Sequence, residues 1–124
     1  SLQSSEVSAR LGAAHREVGA ETGRVLIRRV WIGSPPEAEM AAQMDHYRSY
    51  ANEAVTKNWT DDSLVHGDTP VAAAEALLDV LAESDCDTVN VRVHVKRLTP
   101  AQVDDQLARH ADGFVEAVRA RLGG

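Results

Sequence analysis

Residues 88–95, Thr-Val-Asn-Val-Arg-Val-His-Val, carry the strongest chemical signal in the chain. Valines alternate with Asn90, Arg92 and His94, so the three polar side chains fall on one face of a strand and Val89, Val91, Val93 and Val95 on the other. Three polar groups in a row are costly to bury unless each is paired. Facing inward, they would mark a polar cavity or ligand site. On an edge strand the same pattern would simply meet water.

Arg28 and Arg29 are consecutive within an apolar run and must project to opposite faces. Arg29 shares its side with Val25, Ile27 and Trp31, where it could hold a phosphate or carboxylate bidentately or form an internal salt bridge. His66 and Gly67 precede Asp68-Thr69-Pro70, a glycine turn at the start of a helix; it reads either as an anion-binding turn or as a plain turn and cap. His15, His46 and His110 fall on helical segments without a second ligand at metal spacing and read as surface or stripe-edge residues. Cys86 lacks a CxxC partner and reads as an inert buried thiol. No nucleophile elbow, P-loop or dinucleotide glycine fingerprint is present.

The elements that must position these residues follow from periodicity and caps. Val7, Leu11, Ala14 and Val18 predict a helix over residues 5–20, and residues 24–32 a strand stopped by Gly33-Ser34-Pro35. Ser34 and Glu37 form a capping-box pattern opening a second helix with Met40, Met44, Tyr47 and Ala51 inward. Residues 55–68 read as a loop with one short strand near Leu64-Val65. Thr69-Pro70 opens a third helix, with Ala74, Leu77, Leu78 and Leu81 buried, that ends near Ser84-Asp85. Thr99 and Gln102 form another capping box, and Val103, Leu107, Phe114, Val118 and Leu122 predict one helix running to the C-terminus. Strands separated by helices are expected to be parallel, with the valine face of residues 89–95 against the third and fourth helices.

The 124 residues suit a single α/β segment. Thirteen Lys and Arg against nineteen Asp and Glu give a net charge of −6, which disfavours nucleic acid as a partner. No apolar run approaches the roughly 20 residues of a membrane-spanning helix. A single cysteine fits a reducing compartment, and a cytoplasmic location is expected. The chain opens at Ser1 directly on a helical pattern, which we read as the interior of a longer chain.

The segments Gly-Arg-Val-Leu-Ile-Arg-Arg-Val-Trp-Ile, His-Gly-Asp-Thr-Pro-Val-Ala-Ala-Ala-Glu-Ala-Leu and Asp-Thr-Val-Asn-Val-Arg-Val-His-Val, in this order, resemble the last third of bacterial-luciferase-like flavin-dependent oxidoreductases and monooxygenases. The resemblance spans residues 23–122 and rests more on the order of the motifs than on any one of them. It implies the C-terminal part of a (β/α)8 TIM-type barrel, with the active site at the carboxyl ends of the strands. It further implies FMN or a deazaflavin as cofactor and a small organic substrate. Arg92 and His94 would be catalytic, and Asn90, Arg29, Trp31, His66 and Gly67 would border the cofactor. A second reading is a non-catalytic α/β module that completes its sheet against another chain or as a homo-oligomer.

Overall fold

The computed structural model of the chain describes residues 5–19, 23–50 and 64–122. The expected loop over residues 55–63 and the stripe position Ala51 lie outside them. The elements are α1 (Ser5–Glu17), β1 (Val25–Ile32), α2 (Glu37–Tyr50), β2 (Val65–Gly67), α3 (Pro70–Ser84), β3 (Thr88–Arg92) and α4 (Pro100–Arg109). A π-helical segment, His110–Phe114, then leads into α5 (Val115–Arg121).

The three strands form a parallel sheet in the order β2-β1-β3, so an α/β architecture of strands alternating with helices is what the chain adopts. The order departs from the barrel expectation. In a (β/α)8 barrel each strand lies beside its neighbour in sequence, which would put β2 between β1 and β3. Here the chain leaves β1 for one side, then crosses back over it to reach β3, as in an open doubly wound sheet.

β1 is pinned on both sides. Leu26 pairs with Val89 and Arg28 with Val91, while Val30 pairs with Val65 and Ile32 with Gly67. Its amino end is tied to β3 through the Arg24 carbonyl, which accepts from the Asp87 and Thr88 amides, and Arg24 Nε donates to the Asp85 carbonyl at 2.8 Å. One face of the sheet is apolar. Val30, Ile32 and Val65 pack there with Ala73, Ala74 and Leu77 of α3 and with Phe114 and Val118, and Val89 and Val91 lean on the same cluster. The valine side of residues 89–95 thus meets the helices as the alternation predicts, and Val95 beyond the ladder is fully buried.

α3 begins where expected: Thr69 Oγ1 accepts the Ala72 amide at 3.1 Å, and Pro70 fills the first turn. α4 carries the capping box, with Thr99 N donating to Gln102 Oε1 and Gln102 N to Thr99 Oγ1. Other expectations are corrected. α2 starts at Glu37, after two prolines, and the Pro36 carbonyl takes the Met40 amide; Ser34 instead offers its carbonyl to Trp31. Leu11 of α1 and Val18 in the turn after it are exposed, and Gly12 is the buried position of that helix. The single C-terminal helix is interrupted by Asp112 and Gly113, the latter at φ 96°, a left-handed conformation natural to glycine.

Gly67 is needed for close approach rather than for its backbone angles. A Cβ there would lie 2.6 Å from the Ala72 carbonyl carbon and press into the backbone of Ala73, against the first turn of α3. Backbone cannot rotate away as a side chain can. Gly67→Ala is therefore expected to destabilise the fold by about 3 kcal/mol, the upper part of the range for overpacking, seen as a lowered midpoint in thermal or urea unfolding.

Candidate functional site

Residues in register on a parallel ladder project to the same side of the sheet. Ile27 is paired with Asn90, Arg29 with Arg92 and Trp31 with His66. Arg29, Trp31, His66, Asn90 and Arg92 therefore share one face, opposite the apolar core. Gly67, paired with Ile32, belongs to the core face. His94 lies beyond the ladder; its exposed side chain continues the polar side of the alternation.

Depth separates these residues into two groups. Arg29 is 9% and Trp31 7% exposed, whereas His66, Asn90, Arg92 and His94 are exposed. The expectation that Asn90, Arg92 and His94 line an enclosed interior is corrected, because β3 is an outer strand of the described sheet and its polar side meets solvent.

Arg29 is held by neutral partners. Its Nε donates to the His94 carbonyl at 3.1 Å, one Nη donates to Tyr47 Oη at 2.9 Å, and the guanidinium lies 6.0 Å from the Tyr47 ring centroid. Tyr47 belongs to α2, so this helix covers the polar face while α3 and α5 cover the apolar one. Gln43 of α2 reaches the same region, its Oε1 accepting the Lys96 amide at 2.9 Å. Arg28 takes the opposite course. It is buried on the core face, its Nη1 donates to the Ile27 carbonyl, and burial pulls its pKa down while the nearby Cys86 opposes that shift.

The carboxyl end of β1 opens into a cleft of about 360 Å3 between the Trp31–Ser34 turn and α4. The connections after β1 and β3 diverge to opposite faces here, the kind of position where open parallel sheets bind ligands. Trp31 Nε1 donates to the Ser34 carbonyl at 2.8 Å and fixes the indole in the wall. Gln106 closes the strand end: its Oε1 accepts the Ile32 amide at 2.9 Å and its Nε2 donates to the Ile32 carbonyl at 2.8 Å. Arg109 reaches the same carbonyl at 3.4 Å and pairs with Asp105 at 2.8 Å. Ser34, Gln102, Asp105 and Arg109 give the cleft donors and acceptors of both signs, suited to a polar organic molecule.

Gln106 and Arg109 escape sequence reasoning because the inward side of α4 is read one position off. Gln106 and His110 are buried and Leu107 is 52% exposed. The available signal was the spacing Val103, Gln106, His110, a three-then-four stripe that is discounted for its polar members. His110 is thus not a surface residue. Its Nδ1 lies 2.6 Å from the Gln106 carbonyl and its ring meets Phe114 edge-on at 4.8 Å.

At the glycine turn before α3, Thr69 Oγ1 accepts the Ala72 amide, which is the cap of the plain-turn reading. Cys86 is half-buried, with Sγ 3.7 Å from the Ser84 carbonyl. Among the described residues no group of three His, Cys, Asp or Glu side chains converges as a metal site would require, and no helix is long and apolar enough to cross a membrane. Compared with protein-family models, curated proteins and solved structures, the chain matches none.

Gln106→Leu leaves the Ile32 amide without its side-chain acceptor and the Ile32 carbonyl with only the longer contact from Arg109. At roughly 1–3 kcal/mol for a buried group left unsatisfied, a loss of at least about 2 kcal/mol is expected in urea unfolding, against less than about 0.5 kcal/mol for the exposed Gln102→Leu beyond its contribution as a cap.

Proposed function

We propose that the chain is part of a flavin-dependent oxidoreductase or monooxygenase, the activity that its resemblance to luciferase-like enzymes implies, carried on an open sheet in place of their barrel, and that its polar sheet face and the adjoining cleft form one wall of the flavin and substrate site. The observation that carries this reading is the register: five side chains from three strands, Arg29, Trp31, His66, Asn90 and Arg92, share one face leading to a divergent carboxyl end. Open parallel sheets with the order 2-1-3 place FMN at this kind of position, a likeness of architecture that supports the reading by analogy.

The residues suit such a ligand. Trp31 gives the cleft a flat, immobilised apolar wall, and Arg29 and Arg92 set two cations side by side on an otherwise acidic chain. FMN or a deazaflavin would supply the hydride or electron transfer. Arg92, exposed beside that wall, would hold negative charge on substrate or cofactor in place, and the His94 ring would give or take a proton at the carboxyl end of β3. The small organic substrate would enter from the cleft, whose rim carries Ser34, Gln102, Asp105 and Arg109. A barrel would require β2 between β1 and β3, so we place the site on the open sheet.

A second reading has its own observation. β2 and β3 are the outer strands of the described sheet, and an outer strand is a template for pairing with another chain. A homo-oligomer that extends the sheet through β3 would cover Asn90 and Arg92 instead of leaving them to a ligand.

Titration of FMN and of a deazaflavin with the full chain, followed by fluorescence quenching, separates the two. On the flavin reading one of them binds, and Arg92→Ala weakens binding by about tenfold, equivalent to about 1.4 kcal/mol. Absence of binding together with a concentration-dependent rise in mass on sedimentation, abolished by Val91→Pro, whose amide faces away from β1, would favour the module.

A further inference from the structure

A buried guanidinium without a counter-charge is among the costlier arrangements a protein can hold, because desolvation is offset only when an anion or a full set of acceptors is present. Arg29 is in that position. It is 91% buried by its 9% exposure, its partners are a carbonyl and a phenol, and among the described residues no carboxylate pairs with it. Its Nη1 is buried with no acceptor among the described residues. Gln43, 4% exposed, presents a second such group: Oε1 is engaged by the Lys96 amide, but Nε2 is buried with no acceptor among the described residues.

The two orphaned groups belong to one neighbourhood. Arg29 donates to the carbonyl of His94 and Gln43 accepts from the amide of Lys96, so both side chains grip the same three-residue stretch after β3, one from the sheet and one from α2. Both orphans are donors. Water could accept from either, but it would leave the charge uncompensated, whereas an oxyanion meets both demands. Arg92, in register with Arg29, and Lys96 and Arg97 in the following turn add positive charge around the same point, in a chain whose net charge is −6.

We infer that Arg29 Nη1 and Gln43 Nε2 form an oxyanion-binding site between β1 and α2, which takes the phosphate or carboxylate group of a small ligand. The site deepens the reading of the polar sheet face and rests on that face being a ligand wall, but it requires no flavin. Each of the two groups is an N–H donor, and one of them belongs to a cation, a pairing that favours the oxygens of a carboxylate or phosphate over halide.

The test is thermal unfolding of the full chain in inorganic phosphate or acetate against sodium chloride at matched ionic strength, with Arg29→Met, Gln43→Leu and the exposed control Arg119→Ala. At an oxyanion concentration 100 times its dissociation constant, mass action favours the folded form about 100-fold and raises the midpoint by several degrees. The expected result is such a rise in the wild type and in Arg119→Ala, and its loss in both Arg29→Met and Gln43→Leu. Circular dichroism reports whether Arg29→Met folds, and if it does not, Gln43→Leu decides alone. No rise beyond chloride in the wild type, or a rise retained in Gln43→Leu, overturns the site.

Parallel titrations with FMN and riboflavin distinguish this failure from failure of the flavin reading. A preference for FMN that Arg29→Met erases supports the site as the seat of the phosphate. An oxyanion-dependent rise without binding of either flavin supports the site and removes the flavin. Equal binding of both flavins with no oxyanion effect retains the flavin and overturns the site.

Discussion

Everything distinctive about this molecule depends on β1 pairing in parallel on both sides. A central strand can present its side chains to only two surfaces, and the fixed register with β2 and β3 decides which neighbours share each one. A slip of one residue would exchange the faces, putting Arg29 and Trp31 into the cluster around Leu77 and turning Val30 and Ile32 toward Tyr47. Burial of Val30, Ile32, Val65, Ala73, Ala74 and Leu77 on one side prevents that slip, and the polar face is the corollary.

The two consecutive arginines show how differently the faces treat charge. Arg28 enters the core side near Cys86, and its desolvation lowers its pKa. Arg29 is nearly as buried, but its surroundings are built from polar atoms of α2 and of the stretch after β3. At the end of the same strand, Gln106 does for Ile32 what a further strand residue would do, accepting from its amide and donating to its carbonyl. That substitution of a side chain for a ladder lets the backbone stop at Ile32 and turn at Gly33, which opens the cleft.

Local rules made much of this legible. The alternation of residues 89–95 gave both faces of β3, and the Thr69-Pro70 and Thr99-Pro100 caps placed two helix starts to the residue, because each depends only on neighbours within four positions. Strand order was not legible, since a parallel crossover of one length serves both a barrel and a doubly wound sheet. The stripes of α1 and α4 misled for a related reason. Apolar periodicity assumes that the core wants apolar groups, whereas α1 approaches Asp85 and Arg24 through Gly12 and α4 turns Gln106 toward a strand end with bonds to satisfy. Of the site, the placement of Arg29 with Trp31 and of Asn90 with Arg92 was readable from alternation; His66, read as part of a glycine turn, and the contributions of Gln43, Tyr47 and Gln106 come from other elements and needed the register first.

The most direct measurement is a nuclear Overhauser spectrum of the isotopically labelled chain, read for contacts between strands. The account predicts backbone contacts linking Leu26 with Val89 and Val30 with Val65, and side-chain contacts from the Trp31 indole to His66 and from Arg29 to Arg92. Backbone contacts joining residues 65–67 to residues 88–92, with none from residues 65–67 to β1, would place β2 beside β3 and contradict the shared polar face on which the account depends.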